Sequence, residues 1–318
     1  MAHYDLFNRN AITHVIRAAV ALGIIDALRE GQKTVDQLAD ELDLKPKPLQ
    51  RMMDVLAQTE LVEKYDEDYA LSTVARLIPR EMWDFGDFHW SHLSDFVRTG
   101  VNLHDDKNVP ATNADFLATS GASEWLWTPA AMDAARVLDI GNSRTALRIL
   151  EIGCGTAVFG VTMLHRDAES RLTLLDSGSG LRHARKTVES VGLEDRVEFV
   201  DADYLDFDLD DQFDMVVMAG LMHRHAKDQI RHLFQLARNH LRIGGELVVV
   251  DIFPGQEKGE LSRKIMELEL ELRTSHGQFH DPLELQTWLK EAGFEQIQYA
   301  HLPAEPHFWG LILAERTD

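Results

Sequence analysis

Apolar residues recur along this chain with two different periods, and each period predicts its own kind of domain. From about Asp5 to Glu30 they fall at helical spacing, through Ile12, Val15, Ile16, Ala19, Val20, Ile24 and Leu28. That stripe is too broad for a lone surface helix and predicts burial against a partner. Thr34 and Gln37 have the spacing of a capping box, which opens a short helix through Leu38 to Glu41. A second helix is predicted to start around Pro46 to Pro48, with Leu49, Met52, Met53, Val55 and Leu56 inward. Leu61 to Lys64, an acidic turn at Asp66, Glu67 and Asp68, and Tyr69 to Ser72 then read as a small β-hairpin. Helix, helix, hairpin is the order of a winged helix-turn-helix.

Beyond residue 148 short apolar runs alternate with amphipathic ones. Strands are predicted at 148–152, 171–176, 196–200, 213–218 and 246–251, with helices from about Ala157, from Gly180 to Val191, and up to about Leu241. The alternation predicts a parallel, doubly wound sheet. Pro282 to Ala292 reads as a helix closed by Gly293, and Phe294 to Leu302 and Phe308 to Glu315 read as a terminal strand pair. A terminal hairpin is unusual for nicotinamide enzymes with such a sheet.

Composition narrows the function classes. The 318 residues exceed the usual single-domain size, and 45% hydrophobic with 27% charged residues is the balance of a folded soluble protein. No apolar run approaches the roughly 20 residues that span a bilayer, and no basic-plus-apolar leader opens the chain, so no membrane partner is expected. Cys154 is the single cysteine and cannot form an internal disulfide, which fits a cytoplasmic protein. The formal net charge of −21 argues against nucleic acid as the main partner. Lys45, Lys47 and Arg51 flank the second predicted helix, but Asp66, Glu67 and Asp68 would put carboxylates against phosphates, so the winged helix is read as structural.

Candidate chemistry gathers at the carboxyl ends of the predicted strands. Gly153 and Gly155 follow the first strand and bring backbone close to a ligand in the crevice used by open α/β sheets. Val158 stands where a dinucleotide fingerprint needs glycine, and no Gly-Lys-Ser/Thr ending marks a phosphate loop. Glu151 places an acid two residues before the first glycine. Asp176 lies about 20 residues beyond it, where such folds hold ribose hydroxyls. Asp203 and Tyr204 follow the third strand, and His223 and His225 the fourth. His223 and His225 have no further ligand at a familiar spacing, so no metal site is expected. Between Trp83 and Trp127 the chain is rich in aromatics and histidines, among them Phe85, His89, Trp90 and His92. This segment reads either as a connecting helical region packed under the second domain or as an aromatic lid over an organic substrate.

With Glu151-x-Gly153-x-Gly155, the acids on the next strands and the terminal hairpin, the chain resembles class I S-adenosylmethionine (SAM)-dependent small-molecule O-methyltransferases of the plant and bacterial type, with an N-terminal winged-helix dimerisation domain. Residues 21–28, 38–42 and 71–73 look like that family's dimerisation module, and Met132 in Pro129-Ala-Ala-Met132 resembles a family methionine beside cofactor and substrate. The resemblance implies a Rossmann-like sheet with a terminal antiparallel hairpin, and three segments: a dimerisation domain 1–80, a helical linker or substrate lid 81–135, and a SAM-binding domain 136–318. It further implies that Glu151, Gly153 and Gly155 line the methionine end of SAM, that Asp176 holds the ribose, that Asp203 and Tyr204 flank the adenine, and that His223 is the general base, with His225 in reserve. Phe85, His89, Trp90 and Phe279 would line the acceptor pocket. The expected enzyme is a homodimer that methylates a hydroxyl of a small aromatic metabolite and releases S-adenosyl-L-homocysteine (SAH). The chain departs from the family's pattern at Ala157 for a third glycine, Ala219 for a polar residue, and Phe279 for a glutamate that orients the histidine. Methylation of carbon or nitrogen, use of SAM without methyl transfer, and a SAM-responsive DNA-binding regulator are the rival readings.

Overall fold

The computed structural model describes residues 2–72, 75–76, 78, 83, 87–103, 127–253, 260–304 and 309–318. Its contacts divide the chain into two units, Met1–Asp87 and Phe88–Asp318.

In the first unit, helix α1 (Ala2–Ala21) ends at Gly23, whose φ of 78° breaks the broad stripe and starts helix α2 (Ile24–Glu30). Strand β1 (Lys33–Thr34) leads into helix α3 (Val35–Glu41), opened by the expected capping box: the Thr34 hydroxyl accepts from the Gln37 amide at 3.2 Å, and Gln37 Oε1 accepts from the Thr34 amide at 2.8 Å. Helix α4 (Pro46–Leu56) starts on its prolines, and strands β2 (Val62–Tyr65) and β3 (Asp68–Leu71) form the hairpin, turned by Asp66 at φ 53°. With β1 they make a sheet in the order β1-β3-β2. Ile24, Leu28, Leu38, Met53, Leu56 and Tyr69 fill the core beneath it. Helix α1 behaves differently: Leu6 is 63% and Phe7 75% exposed.

The described linker helices α5 (Asp87–Ser91), α6 (Leu93–Thr99) and α7 (Thr128–Val137) precede the main sheet; residues 104–126, on which much of the expected lid falls, lie outside the described residues. Next come β4 (Arg148–Ile152), α8 (Val158–Arg166), β5 (Arg171–Asp176), α9 (Gly178–Val191), β6 (Val197–Asp201), β7 (Phe213–Ala219), α10 (Lys227–His240) and β8 (Leu241–Ile252). Helices α11 (Glu260–Arg273) and α12 (Pro282–Glu291) lead to β9 (Phe294–His301) and β10 (Trp309–Arg316). The seven strands lie in the order β6-β5-β4-β7-β8-β10-β9, with β10 antiparallel to both of its neighbours. Buried side chains alternate between faces with the strand period. Met215, Val217, Val248 and Val250 pack with α7, α8 and α9, whereas Val216, Met218, Leu247 and Val249 pack with α10 and α12.

Two local features differ from the sequence expectation. Gly244 and Gly245 lie inside β8 rather than in a turn before it, where they absorb a register shift against Phe213 and Met215. Helix α11 was not anticipated, because Glu267 to Leu272 alternate acid and leucine with the period of a strand. Helical pairs four residues apart, Arg263 with Glu267 and Glu269 with Arg273, each at 2.7 Å, show the other way that pattern can be satisfied.

Candidate active site

The chain reverses tightly after β4. Gly153, Gly155 and Ala157 all have left-handed backbone, at φ 64°, 53° and 59°, and the amides of Gly153 and Cys154 donate to the Leu175 carbonyl at 2.9 and 3.3 Å. Two acids close on this turn. Glu151, buried in β4, accepts the Gly160 amide in the first turn of α8 at 3.0 Å through Oε2. Asp176, at the end of β5, accepts the Gly155 amide at 2.8 Å through Oδ2 and the Ser177 amide at 2.7 Å through Oδ1. Glycine is required for these approaches: a Cβ on Gly160 would overlap Glu151 Oε2, and one on Gly180 would overlap the Asp176 carboxylate. Burial pushes the Asp176 carboxyl up from its ordinary range, and the Gly155 and Ser177 amides only partly offset it.

Two amides at this turn and the start of α8, those of Gly155 and Gly160, are therefore already taken by protein carboxylates. The mouth of α8 carries negative charge, which disfavours a phosphate and favours a cationic ligand.

The loop after β7 holds the histidines. Asp251 in β8, almost wholly buried, accepts His223 Nδ1–H at 2.7 Å through Oδ1 and the amides of Met222 and His223 at 2.7 and 3.3 Å through Oδ2. The Ile252 amide also donates to Oδ1, at 2.7 Å. Burial alone would raise the Asp251 carboxyl, but His223 and these donors outweigh it and hold it below the usual range. An ionised Asp251 can only accept, so Nδ1 of His223 carries hydrogen, and the neutral tautomer this selects has its lone pair on Nε2. Phe279, at the position of the missing glutamate, lies 6.3 Å from the imidazole between ring centroids. Asp251 supplies the orienting carboxylate from a different strand. Its signal in the sequence is an acid that closes the apolar run Leu247–Val250.

His225, in the same loop, is held through both ring nitrogens. Its Nε2 is 3.2 Å from the Tyr204 hydroxyl and its Nδ1 3.4 Å from Gln229 Oε1, so both nitrogens are engaged. Burial pushes its pKa down to about 4 despite the Gln229 contact, with Arg224, His223 and His276 adding to the fall. Asp203 is exposed, and its Oδ1 accepts the Leu205 amide at 2.9 Å, a turn-capping contact. Met132 is 56% exposed on α7, whose Ala130, Ala131, Ala134 and Ala135 turn into the core. Just before that helix, Trp127 packs so close to Gly220 that a Cβ there would come within 2.6 Å of its ring. His89 is buried and Trp90 half-buried on α5, and Phe85 lies outside the described residues. Among the described residues no group of three or more His, Cys, Asp or Glu side chains is arranged to hold a metal ion.

Comparison with known proteins agrees with this architecture. Residues 149–245 match the family described as a methyltransferase domain, and residues 4–80 match the O-methyltransferase dimerisation domain. A curated relative, 3-hydroxy-5-methyl-1-naphthoate 3-O-methyltransferase of Streptomyces sahachiroi, is 21% identical over 90% of this chain and 87% of its own. Among solved structures, human N-acetylserotonin methyltransferase in complex with SAM aligns with a TM-score of 0.76 at 20% identity, covering 100% of this chain and 99% of that one. The N,N-8-amino-8-demethyl-D-riboflavin dimethyltransferase of Streptomyces davawensis aligns with a TM-score of 0.73 at 21% identity, covering 100% of both chains.

Proposed function

We infer that this chain, a SAM-dependent methyltransferase with an O-methyltransferase dimerisation domain ahead of its catalytic domain, methylates a hydroxyl of a small aromatic metabolite and works as a homodimer. The observation that carries the cofactor reading is the occupation of the Gly155 and Gly160 amides by Asp176 and Glu151. A cradle with two carboxylates in place of phosphate-binding amides suits a ligand bearing an ammonium, a sulfonium and a ribose diol. Asp176 keeps unused lone pairs for the diol. In this reading Glu151, Gly153 and Gly155 hold the methionine end, Met132 lies beside it, and Asp203 and Tyr204 flank the adenine.

When bound, SAM supplies a methyl group already activated on sulfur. The protein's part is to hold the acceptor in line and to take its proton. A phenol of pKa about 10 is largely protonated at neutral pH, so a base assists. His223 is that base: Asp251 fixes its Nδ1–H, leaving Nε2 to receive the hydroxyl proton as the acceptor oxygen takes the methyl. The imidazolium so formed sits against the Asp251 carboxylate, which stabilises it. Phe279, half-buried beside His223, gives the acceptor ring an apolar wall, and His89 and Trp90 would contribute from α5.

Two relatives that match over most of the chain are named as O-methyltransferases of a hydroxynaphthoate and of acetylserotonin, which supports the same acceptor class here. Isothermal titration with SAM and with SAH tests the cofactor, and binding of neither overturns the reading. A phenolic substrate panel followed by mass spectrometry tests the chemistry; methylation only of amines would replace the hydroxyl assignment.

A further inference from the structure

His223 sits in one tight turn, Met222–Arg224, between β7 and α10. A turn this short leaves carbonyls that its own amides do not reach, and buried carbonyls need partners from elsewhere. Within it, the Arg224 amide donates to the Leu221 carbonyl and the His225 amide to the Met222 carbonyl, each at 3.1 Å. The carbonyls of His223 and His225 are met instead by the segment that follows α11. There the Gln278 amide donates to His223 at 2.9 Å, and His280 Nε2 lies 3.1 Å from the His225 carbonyl. A carbonyl only accepts, so Nε2 of His280 carries hydrogen and donates.

Local contacts anchor this segment at both ends. Thr274 Oγ1 donates to the Leu270 carbonyl at 2.7 Å and accepts the Gly277 amide at 2.8 Å, which closes the end of α11. A Cβ on Gly277 would overlap Thr274 Oγ1 and come within 2.6 Å of Leu270, so only glycine fits the turn. At the other end Asp281 accepts the Leu283 amide at 2.8 Å and opens α12. Between them His280 is 5% exposed, its ring edge-on to Trp288 of α12 at 5.6 Å between centroids. Burial lowers its pKa, although the carbonyls of His225 and Met222 and the charges of Asp251 and Glu284 oppose the fall. At neutral pH it is therefore an uncharged donor, and no step of the methyl transfer uses it.

We propose that His280 is a positioning residue: by donating to the His225 carbonyl from a packed, buried ring, it fixes the outer side of the loop and with it the aim of His223 at the acceptor hydroxyl. The inference rests on His223 being the base of the methyl transfer. Asp251 holds the amide and the ring of His223 from within the sheet, and Gln278 holds its carbonyl from the other side. His280 extends that second grip by two residues along the loop. The segment thus acts on the base through a backbone amide and an imidazole, where Phe279 offers no carboxylate.

The test is a double-variant cycle on the rate of radiolabelled methyl transfer from saturating SAM to the phenol that wild-type protein methylates fastest, well below the Tm of every variant. His280→Phe keeps a ring against Trp288 and removes the donor. Its kcat is expected to fall by roughly tenfold to a hundredfold, the scale of a reacting group displaced by up to about 1 Å, with SAH affinity within a few-fold of wild type. His280→Gln, whose amide nitrogen falls near the position of Nε2, should recover most of the rate. His280→Asn, whose shorter amide does not reach the His225 carbonyl, should remain slow, and it replaces His280→Phe should that ring prevent folding. In a His223→Ala background the same changes should alter the residual rate by less than about twofold, because no base is left to aim. A His280 that only supports the fold would lower the rate by one factor in both backgrounds, and that outcome overturns the proposal. A His280→Phe rate close to that of wild type overturns it as well. Wild-type protein that methylates no phenol overturns the hydroxyl reading and this proposal together.

Discussion

Asp251 holds His223 from two sides, with Oδ1 2.7 Å from the ring Nδ1 and Oδ2 receiving the residue's own amide at 3.3 Å. One carboxylate thus fixes both the tautomer of the imidazole and the path of the loop that carries it. Asp251→Asn would offer an amide in place of an ionised oxygen and remove the charge that stabilises the imidazolium. Its kcat is expected to fall by roughly a hundredfold or more, the scale of general base catalysis, with SAH affinity within a few-fold of wild type. His223→Ala should fall as far, and the double variant little further, because the two side chains act as one unit. Steady-state rates beside calorimetry check this; additive losses would mean that the pair does not work together.

The Glu151 contact with α8 gives a second prediction. Glu151→Ala removes the acceptor of the buried Gly160 amide and a negative charge from the cradle, and should weaken SAM binding while leaving the dimer intact. Gly160→Ala reaches the same contact by steric means, since its Cβ would overlap Glu151 Oε2 and come within 2.9 Å of Leu172. Crowding in so tight a site costs about 1–3 kcal/mol. A lowered Tm together with weaker SAH binding is the expected pair of results.

Much of this was legible in the sequence, and the parts that were not have physical reasons. Thr34 and Gln37 announced their helix because a capping box is a local contact, complete within four residues. Strands β4, β5 and β7 were visible as apolar runs because both of their faces are covered. Helix α11 was not, since its alternating glutamates and leucines satisfy either period until tertiary contacts choose. In the site, Glu151 and Asp176 were found by their distance from the glycines. Asp251 escaped because its partner lies 28 residues away, joined only through the pairing of β7 with β8. The pairing of Tyr204 with His225 was hidden for the same reason, being a contact between loops on different strands.

Ala157 supplies a prediction of the opposite sign. It is fully buried at φ 59°, in the left-handed region where a side chain is strained by about 1–2 kcal/mol. Ala157→Gly relieves that strain, and the greater freedom of glycine in the unfolded chain offsets about 0.4–1 kcal/mol of the gain. A net stabilisation of about 0.5–1 kcal/mol should appear as a small rise in Tm with SAH affinity preserved. A fall in Tm would show that the methyl group contributes packing worth more than the strain.

The exposed face of α1 gives a prediction about assembly. Leu6 and Phe7, 63% and 75% exposed, lie in the segment that matches the dimerisation domain, and apolar side chains of this size contribute about 1.5–3 kcal/mol each when buried. Phe7→Asp combined with Leu6→Asp should convert the dimer to monomer in sedimentation velocity without lowering the Tm of the catalytic domain. A dimer that survives both changes would place the interface elsewhere.

Stability in mild acid follows from the low pKa of His225. An unfolded histidine titrates near 6.5 and the buried one at about 4, so between these values the unfolded chain binds more protons and stability rises with pH. The contribution is fully present above pH 6.5 and is lost progressively as pH falls toward 4, with about 2 kcal/mol of it already lost at pH 5. His280, also lowered by burial, acts in the same direction. Asp176, raised by its burial, acts against it, because a carboxyl that keeps its proton more readily when folded loses stability as pH rises through its titration. Asp251 adds acid sensitivity only below the ordinary carboxylate range, since its pKa is depressed. Denaturation midpoints of the catalytic unit at pH 7.5 and pH 5 should therefore differ more in wild type than in His225→Gln, which cannot titrate. Equal shifts in the two proteins would show that His225 is protonated at pH 5 in the folded state, against the lowered pKa that burial gives it.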